Sequence, residues 1–216
     1  MPETTRQYTK RSLLTGAGNL YLQMMETLDT PSAAPVYDNT VYETPSLDTL
    51  ATTLEIAEKE IYLSNKLHDS IVTVKFATVT VDAGYFPEGF AEEAQGMINV
   101  GGGWSMPSNP VKKPFRMGVP FTDTNGDELI LNFPKCLLNP SDLNGETQRD
   151  DINEQLKQFV IKAVIPEFKG DMDKELVYHK MDMAVEENKT KYDRDKLLNL
   201  GWYDNATAKL CEKLGE

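Results

Sequence analysis

The stretch that decides the fold is PFRMGVPFTDTNGDELILNFPKCLL, residues 114–138. Phe115, Met117, Val119 and Phe121 alternate along one arm, and Leu129, Leu131 and Phe133 along the other. A period of two is the signature of strands with one buried face, so the stretch predicts a β-hairpin. Asn125-Gly126 lies between the arms and supplies turn chemistry. A two-residue turn centred on this pair would set Phe121 opposite Ile130 and Val119 opposite Asn132, mixing the faces. A three-residue connection, Thr124 to Gly126, instead sets Phe121 opposite Leu129, Val119 opposite Leu131 and Met117 opposite Phe133. The apolar pattern favours this second register, with Gly126 left-handed in a bulged turn.

On the C-terminal side, residues 139–153 read as a polar loop. Residues 156–165 follow as a strand with Phe159, Ile161, Ala163 and Ile165 on one face and Val160 and Val164 on the other, which implies cover on both sides. A weaker strand spans 176–185, with Val177, His179, Met181, Met183 and Val185 together. The end is helical, residues 193–214, with a first helix stopping at Gly201 and a second carrying Leu210 and Leu214.

On the N-terminal side, Gly101-Gly102-Gly103 opens a flexible loop through Pro107 and Pro110. Residues 86–97 predict a short helix, with Pro87 at its first position and Gly96 at its end. Residues 71–81 are rich in Val, Thr, Ile and Phe and read as a strand. Their apolar set shifts phase between Phe76 and Val79, which predicts a bulge near Ala77-Thr78. Residues 47–63 are ambiguous: Leu47, Leu50, Leu54, Ala57 and Ile61 keep a helical period, whereas Leu54 and Ile56 suit a strand. Residues 29–45 hold Pro31, Pro35 and Pro45 and read as a long protruding loop, longer than a compact domain needs for a connection. Leu20 to Met25 suit a strand after a turn at Gly16 and Gly18. Residues 1–12 form a polar arm, and 13–216 a single mainly β domain with short α-helices.

Composition narrows the function. Lys and Arg total 22 against 34 Asp and Glu, a formal net charge of −12. Such a chain repels phosphate backbones, so a nucleic-acid binding module is not expected. Neither a secretory signal nor a membrane-spanning run is expected. Cys136 and Cys211 stand far apart with no CxxC spacing, which predicts two reduced thiols and neither a disulfide nor a zinc site.

Catalytic constellations are weak. His68-Asp69-Ser70 holds the residue types of a hydrolytic triad, but neighbours on an extended chain point to opposite faces and cannot share one proton path. Asp123, Asn125 and Asp127 imitate the start of a calcium loop, yet Glu128 stands where Gly is needed and Pro134 where a bidentate Glu is needed. The glycine triplet lacks the Lys-Ser/Thr of a phosphate cradle. Asp171, Asp173, Asp182, Glu186 and Glu187 read as a solvated acidic face, and His179 as a satisfied, partly buried histidine. Trp104 and Trp202 are core plugs or interface anchors. No enzyme, metal site or cofactor is expected; the weakest alternative is a small hydrolase or metal-binding module built on His68 and His179.

The order of features resembles a known family. It comprises a glycine-punctuated first strand, Thr15-Gly16-Ala17-Gly18-Asn19-Leu20-Tyr21-Leu22, and a long loop. Leu54-Glu55-Ile56 follows, leading through Ser64-Asn65-Lys66-Leu67-His68-Asp69-Ser70 into a Thr/Val strand. That strand ends at Asp82-Ala83-Gly84-Tyr85-Phe86-Pro87-Glu88 and a short helix, and a hairpin, a strand and a helical end complete the pattern. This is similar to the major tail tube protein of long-tailed, non-contractile bacteriophages.

The resemblance implies a β-sandwich-like fold that contributes strands to an inner β-barrel of a hexameric ring. Rings stack into a conduit for DNA ejection. By the same resemblance residues 54–63 are a strand, against their helical spacing. The arm and the long loop become stacking elements, with Tyr8, Arg11, Thr30, Pro31, Pro35, Tyr37 and Tyr42 as inter-ring contacts. Excising Thr30 to Thr44 should then leave a folded monomer that cannot stack. Implied partners are copies of the chain, tape measure, terminator and distal tail proteins, and double-stranded DNA passing without specific binding. The implied location is the virion tail, assembled in the host bacterial cytoplasm. The alternative within virions is a non-polymerising tail terminator or capsid decoration protein.

Overall fold

The computed structural model describes residues 12–63, 66–140 and 156–213. In chain order the strands are β1 (Leu14–Ala17), β2 (Leu20–Thr27), β3 (Val36–Tyr37), β4 (Tyr42–Thr44), β5 (Leu47–Leu63) and β6 (Lys66–Ala83). Helix α1 (Phe90–Gln95) precedes β7 (Ile98–Val100), β8 (Gly103–Ser105), β9 (Phe115–Asp123), β10 (Glu128–Leu138), β11 (Lys157–Val164) and β12 (His179–Asp182). Helices α2 (Glu186–Lys191), α3 (Arg194–Leu200) and α4 (Asn205–Leu210) close the chain. The fold is thus mainly β, with one large antiparallel sheet and a few short helices.

The hairpin of β9 and β10 forms the centre of that sheet. It pairs Phe121 with Leu129, Val119 with Leu131 and Met117 with Phe133, the register that puts these six apolar residues on one face. Gly126 has φ of 83°, and its amide donates to the Asp123 carbonyl across a three-residue turn. The Asp123 carboxylate accepts from the amides of Asn125 and Asp127 at 2.7 and 3.0 Å, so the acidic residues of the turn are spent on holding it.

Outward from the hairpin, the order is β3-β2-β9-β10-β11-β6-β5, with β4 on β2, β1 on β9 and β12 on β10. One face carries the main core: Leu20, Leu22, Phe115, Met117, Val119, Phe133, Ala77, Val79, Val81, Phe159 and Ile161, closed by Phe86, Phe90 and Ala94 around α1. Phe90 meets Phe115 edge-on at 5.4 Å, and Phe86 stacks on Phe159 at 3.9 Å. The opposite face is covered by the C-terminal segment, where Tyr21 and Ile130 pack with Leu197, Leu198, Trp202 and Cys211. Both cysteines are free and buried, and burial pushes the Cys211 thiol up to about 11.

Arg116 joins the sheet to that segment. It is 1% exposed and has no carboxylate partner among the bonds it makes. Its guanidinium donates to Gln23 and Asn132 side chains and to the carbonyls of Leu198 and Asn199, the unsatisfied acceptors at the end of α3. The cation thereby meets the negative end of the helix dipole. Burial lowers its pKa to about 10, still far above neutrality.

Several expectations are corrected. Residues 47–63 are strand over their whole length, as expected for 54–63 and beyond it for 47–53, because β6 pairs with them from Leu47 to Leu63 and sheet context defeats the helical spacing. Ladders run regularly through Ala77 and Thr78 on both edges; the irregularity lies at Lys75, between the Glu55–Phe76 and Ile56–Val74 pairs. The reason is that β11 pairs with β6 only as far as Phe76, so the extra residue is accommodated just beyond that constraint.

Helix α1 starts at Phe90 because Gly89 is left-handed, with φ of 75°, and Pro87 lies in the turn before it. The glycine triplet is a hairpin turn: Gly101 and Gly102, at φ 61° and 90°, join β7 to β8. Gly16 lies within β1, and the Gly18 amide donates to the Pro120 carbonyl at 2.7 Å. Of the strand expected at 176–185 only β12 forms, and residues 183–185 turn out of it into α2.

The stretch 29–45 also differs from a plain loop. Strands β3 and β4 both pair with β2, Pro35 is buried, and the Asp29 carboxylate is wholly enclosed against Lys135. Asp29 also accepts from the amides of Glu167 and Phe168. Excising Thr30 to Thr44 would therefore strip two paired strands from β2, so it cannot isolate a stacking defect.

Candidate assembly surface

Strand β5 ends the sheet, and among the described residues it pairs only with β6. Its neighbour β11 covers β6 from Ala83 to Phe76 and no further. Beyond that point the β5–β6 hairpin continues as two strands alone, for roughly 25 Å at about 3.3 Å per residue. A two-stranded ribbon is marginally stable by itself, and no other described strand pairs along its outer edge.

Several apolar side chains of the ribbon are open to solvent. Cross-strand pairs place Leu54, Ile56, Val72 and Val74 on the continuation of the core face, and Ala57, Thr73 and Ile71 on the other. Ile56 is 52% exposed, Val72 58% and Ile71 49%. These residues form an exposed apolar group along the end of the sheet. Nearer the body the solvent face is better sealed, with the Lys162 ammonium 3.8 Å from the Phe76 ring centroid. A second exposed apolar group lies on the β7–β8 hairpin, where Ile98 and Val100 share one side and Trp104 the other.

The residues expected at inter-ring contacts fall into three groups. Thr30 and Pro31 are exposed in a turn closed by the Thr30–Ala33 bridge. Pro35, Tyr37 and Tyr42 hold the stretch to the body. The Tyr37 hydroxyl donates to the Pro134 carbonyl at 2.7 Å, and burial pushes its pKa up. Tyr42 packs edge-on against Phe90 at 5.7 Å. Tyr8 and Arg11 lie outside the described residues, as does nearly all of the 139–153 loop. The exposed ribbon residues Ile56, Ile71 and Val72 were not singled out from sequence, since an alternating apolar strand reads as core until its neighbours are known.

The catalytic alternative gains no geometry. Asp69 and Ser70 take opposite faces of β6, the Ser70 hydroxyl donates to Glu58 at 2.8 Å, and His68 is exposed. His179 sits on β12, separated in the sheet from β6 by β10 and β11. Among the described residues no three His, Cys, Asp or Glu side chains gather as a metal site, and no helix is long and apolar enough to cross a membrane. Trp202 is buried, whereas Trp104 rests half-exposed beside Gly89. The expectation for His179 needs correcting: its Nε2 is buried without a hydrogen-bond partner among the described residues. The strand places it against Trp202, whose indole offers no acceptor.

No protein-family model matches the sequence, and no curated protein matches it.

Proposed function

We propose that this chain is the major tail tube subunit of a long-tailed, non-contractile bacteriophage, a structural virion protein and not an enzyme. The observation that carries the reading is the β5–β6 ribbon, a long strand pair with an unpaired edge and apolar residues on both faces. Such an edge is an aggregation hazard in a monomer, and a closed ring of copies removes it. Six copies would join these strands into an inner barrel, and the rings would stack into the conduit.

The net charge of −12 suits a channel that DNA passes without sticking. The subunit would assemble in the bacterial cytoplasm, meeting tape measure, terminator and distal tail proteins in the virion. Thr30, Pro31 and Tyr42 are the exposed members of the proposed inter-ring set among the described residues.

Negative-stain microscopy of the purified protein tests this directly. Hollow tubes, or rings of six, are expected. A protein that stays monomeric at high concentration would overturn the proposal. One that forms a single ring, or binds only preformed particles, would move it to a terminator or decoration protein.

A further inference from the structure

The C-terminal segment is docked over the sheet through hydrogen bonds of Arg116 and Asn132, and one histidine lies beside them. His179 opens β12 and pairs with Asn132 on β10. The Asn132 side chain donates to the Trp202 carbonyl and accepts from Arg116, which in turn holds the end of α3. The His179 and Trp202 rings lie 6.3 Å apart. The buried Nε2 of His179 has no partner among the described residues, and the ring borders a cavity of about 10 Å³ beside Phe168, Leu176 and Tyr203. That volume admits one water at most. The neutral ring tolerates this position, because an unpaired neutral nitrogen costs less than an unpaired buried cation.

We propose that His179 is an acid-sensitive clasp: protonating its ring releases β12 and the C-terminal helices from the sheet while the β2–β9–β10 core stays folded. This device is independent of the assembly reading above.

The charged surroundings support that direction. The segment before β12 brings Lys169, Lys174 and Glu175 to the cavity wall, and Lys169 and Glu175 pair with each other at 3.0 Å. From the α4 side come Tyr203 and Asp204, and from β9 comes the Arg116 cation, bonded to the same Asn132. On β12 itself stand Lys180 and Asp182. Asp204 would favour the charged ring, but its carboxylate already caps α4 through the amide and hydroxyl of Thr207. Burial prevails and lowers the His179 pKa to about 4, against Asp204, which raises it.

The sign follows from linkage. The released form takes up the proton more readily, so docking is fully stable above the ordinary histidine pKa near 6.5 and weakens as pH falls toward 4. At pH 5 the docking equilibrium should shift by about 30-fold toward release.

Hydrogen exchange on the full chain between pH 7.5 and 4.5, corrected for intrinsic rates, reads this. Amides of β12 and α3 should lose about 30-fold in protection by pH 5 while those of β9 keep theirs. In His179→Gln the two sets should no longer diverge with pH. Should that variant fail to fold, the wild-type His179 ring can be titrated by NMR. A midpoint near 6.5, an unchanged divergence in His179→Gln, or parallel loss of protection in β9 and α3 would each overturn the clasp.

Discussion

Gly201 ends α3 at φ 67° and ψ 171°, a region essentially closed to residues with a side chain. A Cβ there would lie 2.5 Å from Arg116 Cδ, 2.8 Å from Nη1 and 2.9 Å from Nε. Gly201→Ala therefore meets two costs. The backbone conformation alone costs ~1–3 kcal/mol. Displacing the buried guanidinium costs at least one of its bonds to the Leu198 or Asn199 carbonyl, ~1–3 kcal/mol more once that acceptor is left dry.

A loss of ~3–5 kcal/mol is expected, a large share of a typical domain's ~5–15 kcal/mol. Urea unfolding followed by far-UV circular dichroism gives it, and at about 2–4 °C per kcal/mol the Tm should fall by ~6–20 °C. Arg116→Ala removes the atoms that collide, so the two substitutions should be less than additive, with a coupling of ~1 kcal/mol or more. A Gly201→Ala loss under ~0.5 kcal/mol, or strict additivity with Arg116→Ala, would refute the proposed packing of Arg116 beneath the helix end.

Asp29 sets a second test. Burial alone would raise its carboxyl, but the Lys135 ammonium and the Phe168 and Glu167 amides outweigh that and hold it below the ordinary value. Its contribution is thus complete above pH ~4 and lost as pH falls through the lower folded value. Asp29→Asn should cost ~3 kcal/mol at neutral pH, as expected when a buried pair is broken, and should flatten the acid limb of a urea-midpoint profile. An unchanged acid limb would argue against it.

Gly126 has φ of 83° with open space around the missing Cβ, so Gly126→Val should cost ~1–2 kcal/mol from conformation alone, and Gly126→Asn distinctly less. Equal thermal stabilities for those two variants would contradict a left-handed turn. Ile56→Lys with Val72→Lys should change stability by no more than ~0.5 kcal/mol, both sites being over half exposed, yet abolish rings or tubes in micrographs. Tubes that persist would remove the ribbon from the assembly surface.

Where one face of a strand is buried and its turn is short, the sequence carries enough information to set the register. Phe115 to Phe133 and Gly126 illustrate this, since slipping by one residue would turn every apolar side chain outward. The stop of α3 was readable for a similar local reason, through Gly201. Local signals failed where partners lay far along the chain. Residues 47–63 keep helical spacing but follow β6, and 29–45 look like a free loop until Asp29 finds Lys135. His179 looked satisfied because sequence shows an apolar neighbourhood but not a missing acceptor.

The sequence by itself determined a β-rich, acidic domain around the 114–138 hairpin, because alternation and turn chemistry act over a few residues. Only the tertiary structure decided that Arg116 would be buried under a helix end and that Ile56 and Val72 would stand uncovered. Both outcomes depend on which distant strand or helix arrives beside a residue, and where β11 stops, the same apolar pattern changes from core to open surface.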